Sequence, residues 1–152
     1  MMLSGHLSLA EMVRSSTALR HGIDNTPPAH AIERMKVLAA TLFEPARKLL
    51  WVRLHVNSGY RCLELNRAVK GSKTSAHMRG EAIDFVPIDM DKMDAFRILR
   101  DSDLPYDQLI EECGRDGWIH MAIAREGQQP RREVLYASGS PGNWIYRTQE
   151  AA

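Results

Sequence analysis

Cysteine, long apolar runs and charge of one sign are all scarce in this 152-residue chain, and each scarcity removes a class of protein. Its two cysteines, Cys62 and Cys113, cannot build a disulfide framework, and their spacing matches no metal-binding cysteine pair. They read as two thiols of a reducing compartment. Lysine plus arginine number 20 against 19 aspartates plus glutamates, a formal net charge of +1. That balance argues against a nucleic-acid partner, which demands a basic excess somewhere on the surface. The single dense basic run, Arg131-Arg132, is too short to supply one. No stretch of about 18 apolar residues occurs, so no membrane span is expected. Near the amino terminus Ser4, Gly5, His6, Ser8 and Glu11 interrupt any apolar leader, which argues against a signal peptide and for synthesis in the cytoplasm. What is present, 44% hydrophobic residues in a length typical of one domain, predicts a single domain over 1–152, acting as a monomer, that buries a core without staples.

Periodicity sketches an α+β domain. Ser8-Leu-Ala-Glu11 has the spacing of a capping box and predicts a short helix ending near residues 16 to 19. The run from Gly22 to Pro28 is dense in residues that turn the chain or block helices, and a helix resumes near Ala29. From Ala31 to about Leu50 apolar residues recur at three and four positions, the strongest helical signal in the chain, with Pro45 expected to kink it. Strands are predicted over 51–56, 81–86, 107–112 and 118–123, with a possible edge strand at 133–136. Helices are predicted over 61–69 and 91–100, and a loop tail from Ser138 onward. Helices that precede and then interleave with mostly antiparallel strands give a small sheet packed against helices, with a cleft on the sheet.

The chemistry-bearing stretch is Ser75-Ala-His77-Met-Arg-Gly80-Glu-Ala-Ile-Asp84, followed by Trp118-Ile-His120. Two imidazoles and one carboxylate suit a catalytic zinc that keeps one position open for water. Gly80 lets the chain turn back between a loop histidine and a strand aspartate. In the strand around His120, Trp118, His120 and Ala122 share one face while Ile119, Met121 and Ile123 share the other. The apolar set would face the core and leave His120 toward a cleft. His6, His21, His30 and His55 have no partner at metal spacing.

These segments, with Val56-Asn-Ser-Gly59-Tyr60-Arg61 and Gly71-Ser-Lys-Thr-Ser75 before them, resemble the D-Ala-D-Ala carboxypeptidase-like zinc peptidases. That family includes vancomycin-resistance D,D-dipeptidases and phage L-alanyl-D-glutamate endolysins. The resemblance covers about residues 8 to 125. It implies a Zn2+-dependent hydrolase of peptidoglycan stem peptides, held by His77, Asp84 and His120, with Arg61 steadying a substrate carbonyl or carboxylate and Ser75 orienting the site. It also implies action on the cell wall after phage-mediated release or within a virion. Many members place an acidic general base three positions before the last histidine, where this chain has Gly117. Glu112, Asp116 and Glu111 therefore compete for that role. If residues 113–117 form a five-residue hairpin loop, Glu112 pairs with Trp118 and shares the face of His120; a four-residue loop would favour Glu111 instead. The departure at Gly117 also leaves open a rival reading, a catalytically impaired module that holds cell-wall peptide within a phage particle or tail.

Overall fold

The computed structural model describes residues 1–151 and places a six-stranded sheet behind one layer of helices. The capping box forms as expected: Ser8 caps α1 (Leu9–Val13), its hydroxyl accepting from the Glu11 amide while the Glu11 carboxylate accepts from the Ser8 amide at 2.8 Å. The first helix is two helices, however. Arg14 adopts an extended conformation, and Ser15 begins α2 (Ser16–His21) by accepting from the Ala18 amide at 3.1 Å. A second capping serine thus restarts what apolar spacing alone reads as one element.

The long helical signal resolves into α3 (Ala29–Leu38), a π-helical segment (Ala39–Phe43) and α4 (Glu44–Leu50). Pro45 has no amide hydrogen to give the preceding turn, and the widened π segment immediately before it accommodates that loss without breaking the helix. Trp51 ends α4 in a left-handed conformation and is exposed, so β1 (Leu54–Ser58) starts three residues later than its alternation suggests.

The remaining elements are α5 (Leu63–Ala68), a 3-10 turn (Ala76–Arg79), β2 (Ala82–Pro87), α6 (Lys92–Arg100), β3 (Gln108–Glu112), a second 3-10 turn (Gly114–Asp116), β4 (Trp118–Ala122), β5 (Glu133–Ser140) and β6 (Asn143–Arg147). The sheet order is β1-β2-β4-β3-β5-β6, antiparallel at every pairing except β3 with β5. This is an α+β fold. One face of the sheet presents Leu54, Val56, Ile83, Phe85, Ile119, Met121, Leu109 and Tyr136 to the helices. There they meet Met35, Leu38, Leu42 and Phe43 from the long helical segment and Phe96 and Leu99 from α6. Strand alternation sends Asp84, Ile110, Glu112 and His120 to the opposite face. Among the described residues no helix is long and apolar enough to cross a membrane.

Two expectations are corrected at the carboxyl end. The segment at 133–136 is no edge: β5 runs to Ser140 and lies between β3 and β6. The loop tail expected from Ser138 onward is instead the end of β5 and all of β6. Pro141-Gly142, with Gly142 at φ 83°, closes the two-residue turn between the paired Ser140 and Asn143. Asn143-Trp-Ile-Tyr-Arg147 is rich in aromatic and β-branched types, so the strand had a legible signal.

On the helix side of β3, Glu111 accepts from Lys92 Nζ at 2.5 Å, and both side chains are buried. The same Glu111 oxygen accepts from the Gly114 amide at 2.6 Å, tying α6 to the turn after β3. Removing one member of a buried pair strands the other charge. Glu111→Ala is therefore expected to cost about 3 to 5 kcal/mol in denaturant unfolding, whereas replacing both Lys92 and Glu111 by apolar residues of similar volume costs far less. Equal losses in the single and double variants would remove the ion pair as the cause.

Candidate metal centre

His77 reaches the sheet from the one-turn 3-10 helix, whose start is set by Ser75: its hydroxyl accepts from the His77 amide at 3.3 Å. Gly80 ends that turn at φ 73°, and a Cβ there would stand 2.4 Å from the Ala31 carbonyl oxygen of α3. Only glycine satisfies both the left-handed backbone and the close approach. The chain then enters β2, where Asp84 pairs across the ladder with His120 of β4. Glu81, at the junction, is buried and accepts from Arg34 Nε of α3 at 2.8 Å and from Arg79 Nε at 2.5 Å. Those two guanidinium groups fix the turn to both the helix layer and the strand.

The result is a buried cluster in which ligand atoms of His77, Asp84 and His120 all lie within 4.8 Å of one another, a set that could hold a metal ion. Asp84 Oδ1 lies 2.9 Å from His120 Nδ1 and 3.3 Å from His77 Nε2. The other nitrogen of His77, Nδ1, lies 2.7 Å from the Gly59 carbonyl oxygen, which can only accept, so Nδ1 carries the hydrogen. Burial lowers the His77 pKa and favours the neutral ring. Burial would raise Asp84, but His77 and His120 together hold its carboxyl well below the usual carboxylate range. With His77 neutral and its hydrogen on Nδ1, its bare Nε2 faces an Asp84 oxygen whose ionised form His120 still supports through its own hydrogen bond. Two acceptors in that position call for a cation between them, and the donor set of two imidazoles and one carboxylate fits zinc with a position left open. Burial opposes charge on His120, yet its hydrogen bond to Asp84 together with the charges of Asp84 and Glu112 outweighs this and raises its pKa.

The hairpin loop takes five residues, so Glu112 pairs with Trp118 and Ile110 with His120. Glu112 lines the cleft beside the cluster; Glu111 lies on the opposite face, bonded to Lys92; Asp116 is exposed in the second 3-10 turn. Arg61 follows β1 with its Nη1 donating to Asn66 Oδ1 at 3.0 Å and its Nη2 4.0 Å from Asp84 Oδ2. The cleft, about 880 Å³, is also lined by Trp144 and Tyr146 of β6, two residues that no motif in the sequence singles out. Their only signal is the period-two aromatic pattern in a segment read as tail.

Burial and the nearby Asp84 charge push the Glu112 carboxyl up to about 7, against smaller opposing effects of His120 and Arg61. A carboxyl whose folded pKa is raised binds its proton more tightly when folded. Its contribution is complete below the unfolded value and is lost as pH rises toward about 7. Metal-free Glu112→Gln is therefore expected to be more stable than the parent at about pH 8, by on the order of 2 kcal/mol, and no more stable at about pH 4. Denaturant unfolding at both pH values checks this, and a gain that is the same at each would sink it.

No curated protein matches the chain at a significant level. A family model described as Peptidase M15 matches residues 5–122, a span that contains His77, Asp84, Arg61, Glu112 and His120. With that match over most of its length, and with its histidines and aspartate meeting at one point, the chain belongs to the peptidase M15 family of D-Ala-D-Ala carboxypeptidase-like zinc peptidases.

Proposed function

We propose that this protein is a zinc-dependent peptidase that hydrolyses an amide bond in peptidoglycan stem peptides, with His77, Asp84 and His120 as metal ligands and Glu112 as general base. The observation that carries the reading is the buried pairing of a bare His77 nitrogen with an ionised Asp84 oxygen, with Glu112 on the same face of the sheet one diagonal step from His120. Bound there, zinc would bring the pKa of a coordinated water toward about 7 and polarise the scissile carbonyl.

The protein's own groups supply the rest. Glu112, poised near neutrality, accepts a proton from the attacking water and returns it to the leaving amine. Arg61, held by Asn66 and directed toward Asp84, offers a guanidinium fork to a substrate carbonyl or carboxylate. Ser75 acts through His77, by fixing the turn that presents the ring. Gly59 acts the same way, its carbonyl selecting the tautomer whose free nitrogen faces the metal position. The bond breaks without a covalent intermediate. Action on the cell wall follows from this substrate, with delivery through a phage lysis system or particle as the route the family resemblance favours.

The direct test is digestion of purified muropeptides by the zinc-loaded protein, with products resolved by mass spectrometry. A new amine and a new carboxylate at one stem-peptide bond are expected. Intact muropeptide after prolonged incubation with stoichiometrically loaded protein would reject the reading.

A further inference from the structure

The two edges of the sheet are not alike. At β1 the outer edge is guarded: Arg14 Nη2 donates to the Val56 carbonyl at 3.0 Å, the Tyr60 amide donates to the Met12 carbonyl of α1 at 2.6 Å, and the register breaks between Val56 and Ser58. Covers and irregularities of this kind stop a strand edge from pairing with another chain. At the other edge β6 has none of them. It keeps unbroken register with β5 from Asn143 to Arg147 and holds no proline or lysine. Among the described residues, no main-chain bond reaches β6 from any segment but β5. The chain that follows turns toward the helix layer, where Glu150 pairs with Arg97 and Arg100 of α6.

Register fixes which groups this open edge offers. Residues flanking a two-residue turn form a hydrogen-bonded pair, so Asn143, Ile145 and Arg147 direct their main chain to β5. The Asn143 carbonyl shows this parity: a Cβ on Gly139 of β5 would stand 2.3 Å from its oxygen. Trp144 and Tyr146 therefore send their N–H and C=O groups outward. Their side chains lie on the cleft face, Tyr146 in one row with Ala137, Glu112 and Trp118. Ile145 points to the helix side, yet no helix covers it and it is 55% exposed.

We infer that β6 is a self-association edge, at which two copies of this chain pair their β6 strands antiparallel about a two-fold axis at Ile145, in place of the expected monomer. The strand is symmetric in kind about that residue, which is what a contact between identical surfaces requires. At this register Trp144 stands opposite the partner's Tyr146, and each of the two such pairs exchanges both main-chain bonds. Ile145 meets the partner's Ile145 in the non-hydrogen-bonded position, where side chains come closest. Arg147, the only charge in β6, falls opposite the partner's neutral Asn143, so like charges do not meet. Centred on Trp144 or Tyr146 instead, the ladder would leave one aromatic residue facing the Pro141-Gly142 turn or the tail after Arg147.

A ladder this short makes a reversible dimer rather than a permanent one. Because the axis stands normal to the sheet, both clefts open to the same side. The partner's Trp144 then extends the row of Trp118, Glu112, Ala137 and Tyr146 at each cleft. The dimer does not depend on the peptidase reading; what it adds to that reading is a pair of sites presented together to one face of a polymeric substrate.

Sedimentation velocity on the full chain tests this without any assay of activity. The parent is expected at twice the mass of one chain, falling toward one on dilution. Ile145→Lys sets two ammonium groups face to face and is expected to weaken association at least about tenfold. Leu19→Lys, at an 85% exposed position of α2, is expected to leave it unchanged. One-chain mass at every concentration, or a dimer as tight in Ile145→Lys as in the parent, overturns the inference. Cysteine variants in a Cys62→Ser, Cys113→Ser background decide it should Ile145→Lys fail to fold. Ile145→Cys is expected to form a disulfide with its own copy on mild oxidation, since non-hydrogen-bonded partners stand about 4.5 Å apart at Cα, inside the disulfide range. Arg147→Cys is expected to form none, its counterpart lying about 13 Å further along the strand. Crosslinking of both variants alike, or of neither, overturns the inference.

Discussion

Glu112→Gln is expected to lower muropeptide turnover by about 100-fold to 10,000-fold, the range for removing a general acid–base group, while zinc content stays at the parent level. The amide keeps the shape of the carboxylate and cannot accept the proton. The two competing acids give the contrast that makes the result specific. Asp116 is exposed in the turn, and Asp116→Asn should leave turnover near the parent value. Glu111 faces the helices and bonds Lys92, so its substitution should act on stability before it acts on rate. Turnover unchanged in Glu112→Gln, with metal still bound, would remove this residue from the mechanism. The pH profile adds a second check. A base that must be ionised gives activity that rises with pH through its pKa, and nearby divalent charge lowers that pKa, so the acidic limb should fall below the metal-free value of about 7.

Loss of the metal is the other large effect. His77→Ala should reduce zinc from one ion per chain to a trace after dialysis, with affinity falling by more than the roughly 10-fold to 100-fold that follows loss of a hydrogen-bonding partner behind a ligand. Asp84→Asn is informative for a different reason. The carboxylate is the one negative charge between two buried imidazoles, and without it the pocket offers only neutral ligands against burial. Metal analysis of both variants, alongside near-ultraviolet circular dichroism to show the fold intact, measures this. Stoichiometric zinc in folded His77→Ala would break the ligand set and the peptidase reading with it.

Much of the centre was legible in the chain. The spacing of His77, Gly80 and Asp84 carries its own geometry, because a turn that needs positive φ and a strand with fixed parity leave few ways to place those side chains. The side of β3 that holds Glu112 followed from loop length by the same parity, and the observed five-residue loop puts Glu112 opposite Trp118. Three features were not legible. Arg14 breaking the first helix depends on Ser15 capping better than the apolar stripe can propagate. The π segment before Pro45 shifts the helix register, and it is in the register so set that Leu42 and Phe43 are both buried. The placement of the β5–β6 hairpin, as distinct from the strand propensity of 143–147, needed a partner strand, and the parallel pairing of β5 with β3 joins segments more than twenty residues apart.

The sequence by itself determined the ligand types, their strand parity and the turn between them, because backbone conformation and side-chain alternation are local properties of a few residues. Tertiary structure alone decided which wall the cleft acquired, which carboxylate is pushed up to about 7 and which histidine nitrogen is left free. Each of those depends on what burial removes from water and on which distant group stands opposite, and neither is written in the order of neighbouring residues.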